Sequence, residues 1–298
     1  MLNIIGHRKI YLTLSALIVG ASLFAVIFFG FRQGIDFSGG TLWQLRLPNG
    51  TTDISSLEEV FRSELKISDA KLNIDTADQT VFVRIKEINE QDHQAFLKIL
   101  KDRFVGLEEL GFQSIGPVVG AELRQNANMA IVFVLLGISL YIAFSFRKVS
   151  RPISSWKYGF VTLITLFHDV IVPAGLMAVL GKFLGIEIDT NFIVALLVVM
   201  GFSVHDTIVV FDRVRENLSL ARGKIEFEKV VNDSVNQTIA RSINTSLTLI
   251  LVLLALLYFG PGGLTYFVLT LLVGTSIGVY SSIFVASPLL VILGRKQG

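Results

Sequence analysis

The chain has 298 residues, 52% of them apolar and only 17% charged, with a net charge of +2 and no cysteine; its mean hydropathy is +0.65. Soluble domains carry about 25% charged residues, so this composition excludes an ordinary soluble domain and indicates a protein built into a membrane. A near-neutral balance leaves no footprint for nucleic acid, and the lack of cysteine excludes disulfides, thiolate catalysis and cysteine-ligated metal.

A membrane-spanning helix needs about 20 mostly apolar residues. In chain order the windows Ile10–Phe31, Asn128–Phe146, Tyr158–Leu180, Asn191–Phe211, Ile243–Phe259 and Leu264–Leu293 meet this, so six spans are predicted. The first follows Arg8-Lys9, as a signal peptide's apolar region would, but it is too long for one and no small-residue cleavage site follows; it reads as an uncleaved span. The fifth is short, and the polar, helix-compatible stretch Ile225–Ala240 before it is expected to lie along the membrane surface before turning in. The sixth contains Gly274, Gly278 and Pro288 and is expected to tilt or kink.

Residues 32–126 separate the first two spans and hold 11 Lys/Arg and 15 Asp/Glu of the chain's 26 and 24, so this segment is acidic and the remainder basic. Its pattern predicts a small folded domain. Thr41–Pro48 alternates like a strand, and Ile54–Leu65 has helical spacing at Leu57, Val60, Phe61 and Leu65. AKLNIDT and QTVFVRIK, joined through Asp78, form a hairpin candidate. Glu90–Phe104 is a second helix, with apolar Phe96, Leu97, Leu100 and Phe104, and FQSIGPVVG (Phe112–Gly120) supplies a last strand. The order β-α-β-β-α-β is the ferredoxin-like arrangement. The expected organisation is thus a cytoplasmic N-terminus and first span at 1–31, an exterior α+β domain at 32–126, and a five-span bundle at 127–298 with a cytoplasmic loop at 212–242.

Orientation follows from Lys and Arg near the span ends. With a cytoplasmic N-terminus, the inner segments hold Arg8, Lys9, Arg147, Lys148, Arg151, Lys157, Arg213, Arg215, Arg222, Lys224, Lys229, Arg241, Arg295 and Lys296, against Lys182 alone in the short outer loops. Both termini are therefore expected to face the cytoplasm.

Ionisable residues within the windows are candidates for function, because charge at membrane depth must face protein or water. Asp206 lies in the fourth span, about 22 Å along its axis from Asn191 at 1.5 Å per residue. Ser203, Asp206, Val210 and Arg213 share one face of that helix, and Thr207 adds to its polar lining. Either Asp206 ends the helix and is solvated from the cytoplasm, or it is buried to work. Asp169, after His168 near the middle of the third span, reads either as a structural hydrogen-bonding group beside Pro173 or as a proton relay. Arg241, at the mouth of the fifth span, reads on position alone as a snorkelling charge. Behind it, Ser242, Thr245, Ser246 and Thr248 form a polar face that either bonds a neighbouring helix or lines a wet path. His205 points about 100° away from Asp206 around the helix, so adjacency does not pair them.

No Walker A motif, GxSxG elbow, HExxH or metal-spaced His/Asp cluster occurs. The chain does not read as an enzyme, and no cofactor or metal is expected. Ion movement is the energy source these residues suit, since a buried Asp can bind and release a proton as helices rearrange.

One helix, an outer domain and then five helices resembles one half of an RND-type transporter, the second half coming from elsewhere. Four stretches sharpen this. GIDFSGGTLWQLRL (Gly34–Leu47) resembles the GIDFxGG signature of the SecF family, the smaller members of the SecD–SecF pair of bacterial protein export. LFHDVIVPAGLMAVL matches that family's HDV element. GFSVHDTIVVFDRVREN matches its GYSxNDTxVxFDRxREN element, with His205 where Asn is usual. SINTSLT (Ser242–Thr248), following Arg241, matches SRTxxTSxT apart from Ile243-Asn244.

The resemblance implies a plasma-membrane subunit that works with SecD beside the SecYEG channel, with YajC and YidC as further partners. It implies use of the proton-motive force, or a sodium gradient, to complete translocation of unfolded secretory polypeptides. It also implies that Asp206 is the ion-binding carboxylate and Arg241 its electrostatic counterpart; Asp169 and His205 join them as proton-coupling candidates on their position in the spans alone. Two rivals stay open: half of an exporter of small molecules or lipids, for which 32–126 is a short exterior domain, and a static scaffold of the translocon.

Overall fold

The computed structural model describes residues 2–47, 54–75, 80–146, 153–221 and 224–294. The hairpin turn at Asp78, Pro48 at the end of the first expected strand, and the inner-side cations Arg147, Lys148, Arg151, Arg222, Arg295 and Lys296 lie outside these residues. Two compact units are present: Met1–Arg32 with Met129–Gly298, and Gln33–Asn128.

The second unit opens with a short helix, α2 (Ile35–Ser38), and continues through β1 (Gly40–Arg46), α3 (Ile54–Ser63), β2 (Lys71–Asp75), β3 (Thr80–Ile85), α4 (Glu90–Arg103) and β4 (Glu108–Ile115). The strands form one antiparallel sheet of order β2-β3-β1-β4, with Trp43 opposite Val83 on one side and Phe112 on the other. Splitting β1 from β2 by β3 is the ferredoxin-like topology expected from the sequence. The alternation works as a strand should: Trp43, Leu45, Val81 and Val83 point to one face and meet Leu57, Phe61 and Leu100 of the helices in one core. α4 is capped by Asn89, whose side chain accepts the Asp92 N–H at 2.8 Å; acids occupy its first turn and Lys101 and Arg103 its last, complementing the helix dipole.

GIDFS coils into α2, and the chain leaves it through Gly39 (φ +72°) and Gly40 (φ +119°). A Cβ at Gly40 would stand 2.9 Å from the Ile85 carbonyl oxygen, and one at Gly39 2.9 Å from Pro117 Cα, so conformation and closeness both require glycine. The last strand begins at Glu108, earlier than expected, and ends at Ile115. GPVVG belongs instead to a helix start, because Pro117 is preorganised for the first helical position.

Among the described residues, six helical segments are long and apolar enough to span a membrane: α1 (Arg8–Phe29), α5 (Pro117–Ser145), α6 (Ser155–Leu184), α7 (Thr190–Ala221), α8 (Phe227–Phe259) and the composite Gly262–Gly294. α6, α7 and the composite span are the most enclosed, half or slightly more of each one's most apolar stretch being buried against 6% for α5. Their apolar core includes Tyr158, Leu166, Met200, Val210, Phe211 and Leu290.

The expected surface stretch at Ile225–Ala240 does not exist as a separate element. α8 is continuous over 33 residues. Val230, Val231, Ser234, Val235 and Thr238 are buried, so this half is held by packing within the bundle. Likewise the expected loop at 212–242 is helical up to Ala221 and again from Phe227. FDRVREN keeps its helix through i,i+3 pairs, Arg213–Glu216 and Arg215–Asp212, both at 2.6 Å.

The composite span comprises a 3₁₀ turn (Gly262–Leu264), α9 (Thr265–Ser281), a π turn (Ser282–Ala286) and α10 (Ser287–Gly294). Pro288 lacks the N–H that an α-helix directs at the carbonyl four residues back, and the helix widens just ahead of it.

Candidate functional site

The polar interior of the bundle lies where α6, α7, α8 and the end of α9 meet. Asp169 of α6 is 0% exposed. Its Oδ1 is 2.9 Å from Nδ1 of His168, and its Oδ2 accepts from Ser281 Oγ at 2.7 Å and from Ser203 Oγ in a short bond. One carboxylate thus joins three elements. Asp206 of α7 is 3% exposed, and its Oδ2 accepts from Ser246 Oγ of α8 at 3.3 Å. Thr207, next to Asp206 in the chain, and Ser282, next to Ser281, are hydrogen-bonded at 3.0 Å. Ser282 already donates to the Gly278 carbonyl at 2.9 Å, so its oxygen is left to accept the Thr207 hydroxyl proton.

The candidates from the sequence separate in space. Asp206 is buried, which removes the reading of it as a solvated helix end. Ser203 and Asp206 share a stripe, yet Ser203 serves Asp169 and not its own neighbour. The polar face of α8 divides: Ser242 and Ser246 are buried, whereas Thr245 is exposed and its carbonyl accepts the Thr248 hydroxyl at 2.7 Å. Arg241 and His205 are exposed. Among the described residues no Lys or Arg nitrogen lies within ion-pair distance of Asp169 or Asp206, so an ion pair between Arg241 and Asp206 is not formed.

Three participants were not legible as such. Ser281 and Ser282 form a plain Ser-Ser pair in an apolar span; the only signal was their position ahead of Pro288, where a helix can open. His168 ranked only as the neighbour of Asp169, although the pair is bonded. Among the described residues, Nε2 of His168 and Oγ of Ser242 are buried near this interior without a hydrogen-bond partner.

Six spans, an α+β unit between the first and second, and carboxylates buried among helices define a half-size RND-type membrane unit. The family described as protein export membrane protein SecD/SecF, C-terminal, matches residues 95–296, and the SecD/SecF GG motif matches 24–47. The chain belongs to the SecD/SecF protein-export family. Among its relatives is the protein translocase subunit SecF of Thermobaculum terrenum, 46% identical over 306 residues that cover all of this chain and 95% of the relative. The protein translocase subunit SecDF of Thermus thermophilus is 35% identical over 97% of this chain, but the match spans only 38% of that longer protein. A crystal structure of SecDF from the same organism, a translocon-associated membrane protein, superposes with a TM-score of 0.84 at 32% identity. A second SecDF structure, in a super-membrane-facing form, superposes with a TM-score of 0.67; the chain covers 39% of each solved chain.

Proposed function

We propose that the chain is the SecF-type accessory subunit of the Sec protein translocase. Paired with a SecD-type subunit at the SecYEG channel, where YajC and YidC also assemble, it couples the proton-motive force to late translocation of unfolded secretory polypeptides. No bond-making chemistry and no cofactor enter this reading; the driver is an ion gradient, with protons as the ion. Both termini face the cytoplasm in this arrangement, in the bacterial plasma membrane.

The observation that carries it is the burial of Asp206 in the fourth span, with a serine hydroxyl as its hydrogen-bond partner and no cation beside it among the described residues. A carboxylate in that setting changes charge only when water or a positive group reaches it, so its protonation is tied to helix arrangement. A second observation supports a partner half. Arg241, Asn244, Thr245 and Thr248 are exposed and lie at i, i+3, i+4 and i+7 on one face of α8, with His205 exposed on α7. Polar groups at membrane depth need protein or water rather than lipid. In this reading the face meets the SecD-type half, and Arg241 swings toward Asp206 during the cycle. The fused SecDF relative, which joins both names in one chain, supports such a pairing.

The test is gradient-stimulated export in vesicles holding this chain with its SecD-type partner and the channel. Asp206→Asn is expected to abolish the stimulation while leaving complex assembly intact. Undiminished stimulation would exclude the coupling role and leave a scaffold.

A further inference from the structure

Asp169 is more deeply enclosed than Asp206, and the function proposed above does not require it. Its surroundings contain hydroxyls and one imidazole. The elements packed around it add few ionisable groups. α1 brings Tyr11, from Ile10 to Phe29; α9 and the π turn bring Tyr266 and Tyr280; and α8 beyond Arg241 brings Tyr258. α7 brings Asp206, with His205 turned to the outside. Tyr280 stacks on His168 with ring centroids 6.3 Å apart, and its own hydroxyl donates to the Tyr11 carbonyl at 3.1 Å. Among the described residues, His168 is therefore the one basic side chain within hydrogen-bond or ion-pair distance of Asp169.

Charge balance then restricts the pair. A neutral imidazole beside an ionised carboxylate carries one net negative charge, enclosed by hydroxyls. One added proton makes the pair neutral, whether it sits on Nδ1 or on the carboxyl. An uncompensated buried charge costs several kcal/mol, so enclosure favours the pair with its net charge balanced. The two oxygens divide the work. Oδ1 faces the imidazole, whereas Oδ2 accepts two hydroxyls from different spans. A proton moving onto Oδ2 would make it a donor, so one of those serines would have to turn its hydroxyl and accept, or let go. Protonation is thereby linked to the spacing of α6, α7 and α9.

Nε2 of His168 is buried and unpartnered, which is costly for a polar atom and leaves one ring nitrogen free for exchange while the other is engaged. We propose that His168 and Asp169 form a second proton-carrying site, holding one proton between them and exchanging it through Nε2 of His168. The proposal rests on the ion-coupled reading and extends it from one carboxylate to two. Ser203 and Asp206, one turn apart on α7, place the sites in sequence along one helix.

Two measurements test it separately. In the purified full-length chain, nitrogen-15 histidine resonances assigned with His168→Gln should show the His168 ring changing protonation with pH. That transition should move in Asp169→Asn. In vesicles with the SecD-type partner, gradient-driven proton flux should fall about 100-fold in Asp169→Asn and in His168→Gln, as for loss of a positioned proton carrier. Asp169→Glu should restore part of it, which a merely structural defect would not predict. The proposal is overturned if the His168 ring keeps one state in both proteins, or if either neutral variant supports wild-type flux while Asp206→Asn does not. Should Asp206→Asn also leave flux intact, the coupling reading fails, and the resonances, which need no flux, still decide the pair.

Discussion

Gly278 of α9 packs its backbone against Ser203 of α7: a Cβ there would stand 3.2 Å from Ser203 Cβ, and one at Gly274, a turn earlier, 2.3 Å from a Val199 methyl. Small residues let membrane helices approach closely, and here the approach sets where the Ser203 hydroxyl meets Asp169. Gly274→Ala should lower thermal stability in detergent by about 1–3 kcal/mol, the usual cost of overpacking. Gly278→Ala should cost less stability yet impair export, because it displaces the hydroxyl itself. Thermal unfolding and vesicle export, measured on both variants, check the two effects.

Ser246→Ala removes the hydrogen bond to Asp206. A typical hydrogen bond contributes about 0.5–1.5 kcal/mol, so gradient-stimulated export should slow about two- to tenfold with folding retained. Ser242→Ala is the control. It deletes a buried hydroxyl that has no partner, and thermal stability should hold or rise, since the unmet polar group is gone.

The exterior unit should weaken in acid. The Gln94 amide donates to Glu90 at 2.7 Å and, with His93, holds that carboxyl below its ordinary 4.5; Lys86, 3.0 Å from Asp69, holds the latter below 3.8. A carboxyl depressed on folding stabilises fully above its unfolded value and loses that contribution as pH falls through the folded one. Stability should therefore decline progressively below about pH 4.5, and Gln94→Ala should flatten part of that decline. Fluorescence of Trp43, buried in this unit's core, reports it in a Trp156→Phe background.

The N-terminal segment is strapped to α8 by two asparagines one turn apart. Asn232 Oδ1 accepts the N–H groups of Ile4 and Ile5 at 2.9 and 3.2 Å, and Asn236 Oδ1 accepts that of Leu2 at 2.8 Å. Both side-chain amides donate to the Leu2 carbonyl, and Arg8 pairs with Glu228 at 3.4 Å. Asn232→Ala should cost about 1–3 kcal/mol, and hydrogen exchange at Ile4 and Ile5 should rise while exchange in α7 stays unchanged.

Much of this architecture was legible because it rests on periodicity and on local chemistry. The span positions follow from apolar length, and the sheet of the exterior unit follows from the alternation around Trp43 and Val83. The strand end at Ile115 was misplaced because apolar Val118 and Val119 continue the pattern beyond Pro117. α8 was divided because its first half is polar in sequence, although its valines are buried by the N-terminal segment and by α7. The carboxylates were visible as anomalies in apolar runs. Their partners were not, since Ser203 and Asp206 lie on one face of one helix yet bond to α6 and α8, a choice made by tertiary packing.

α8 has a mechanical consequence. As a single rod of 33 residues it is about 50 Å long at 1.5 Å per residue, against a hydrocarbon layer of about 30 Å. Ser246 touches Asp206 partway along the rod, and Asn232 grips the N-terminal segment about 21 Å away. The helix is a lever with its load at one station and its handle at another. A tilt of about 10° around Ser246 would carry the grip nearly 4 Å sideways, so a change of helix angle at the buried acid would be felt as a displacement of the N-terminal segment.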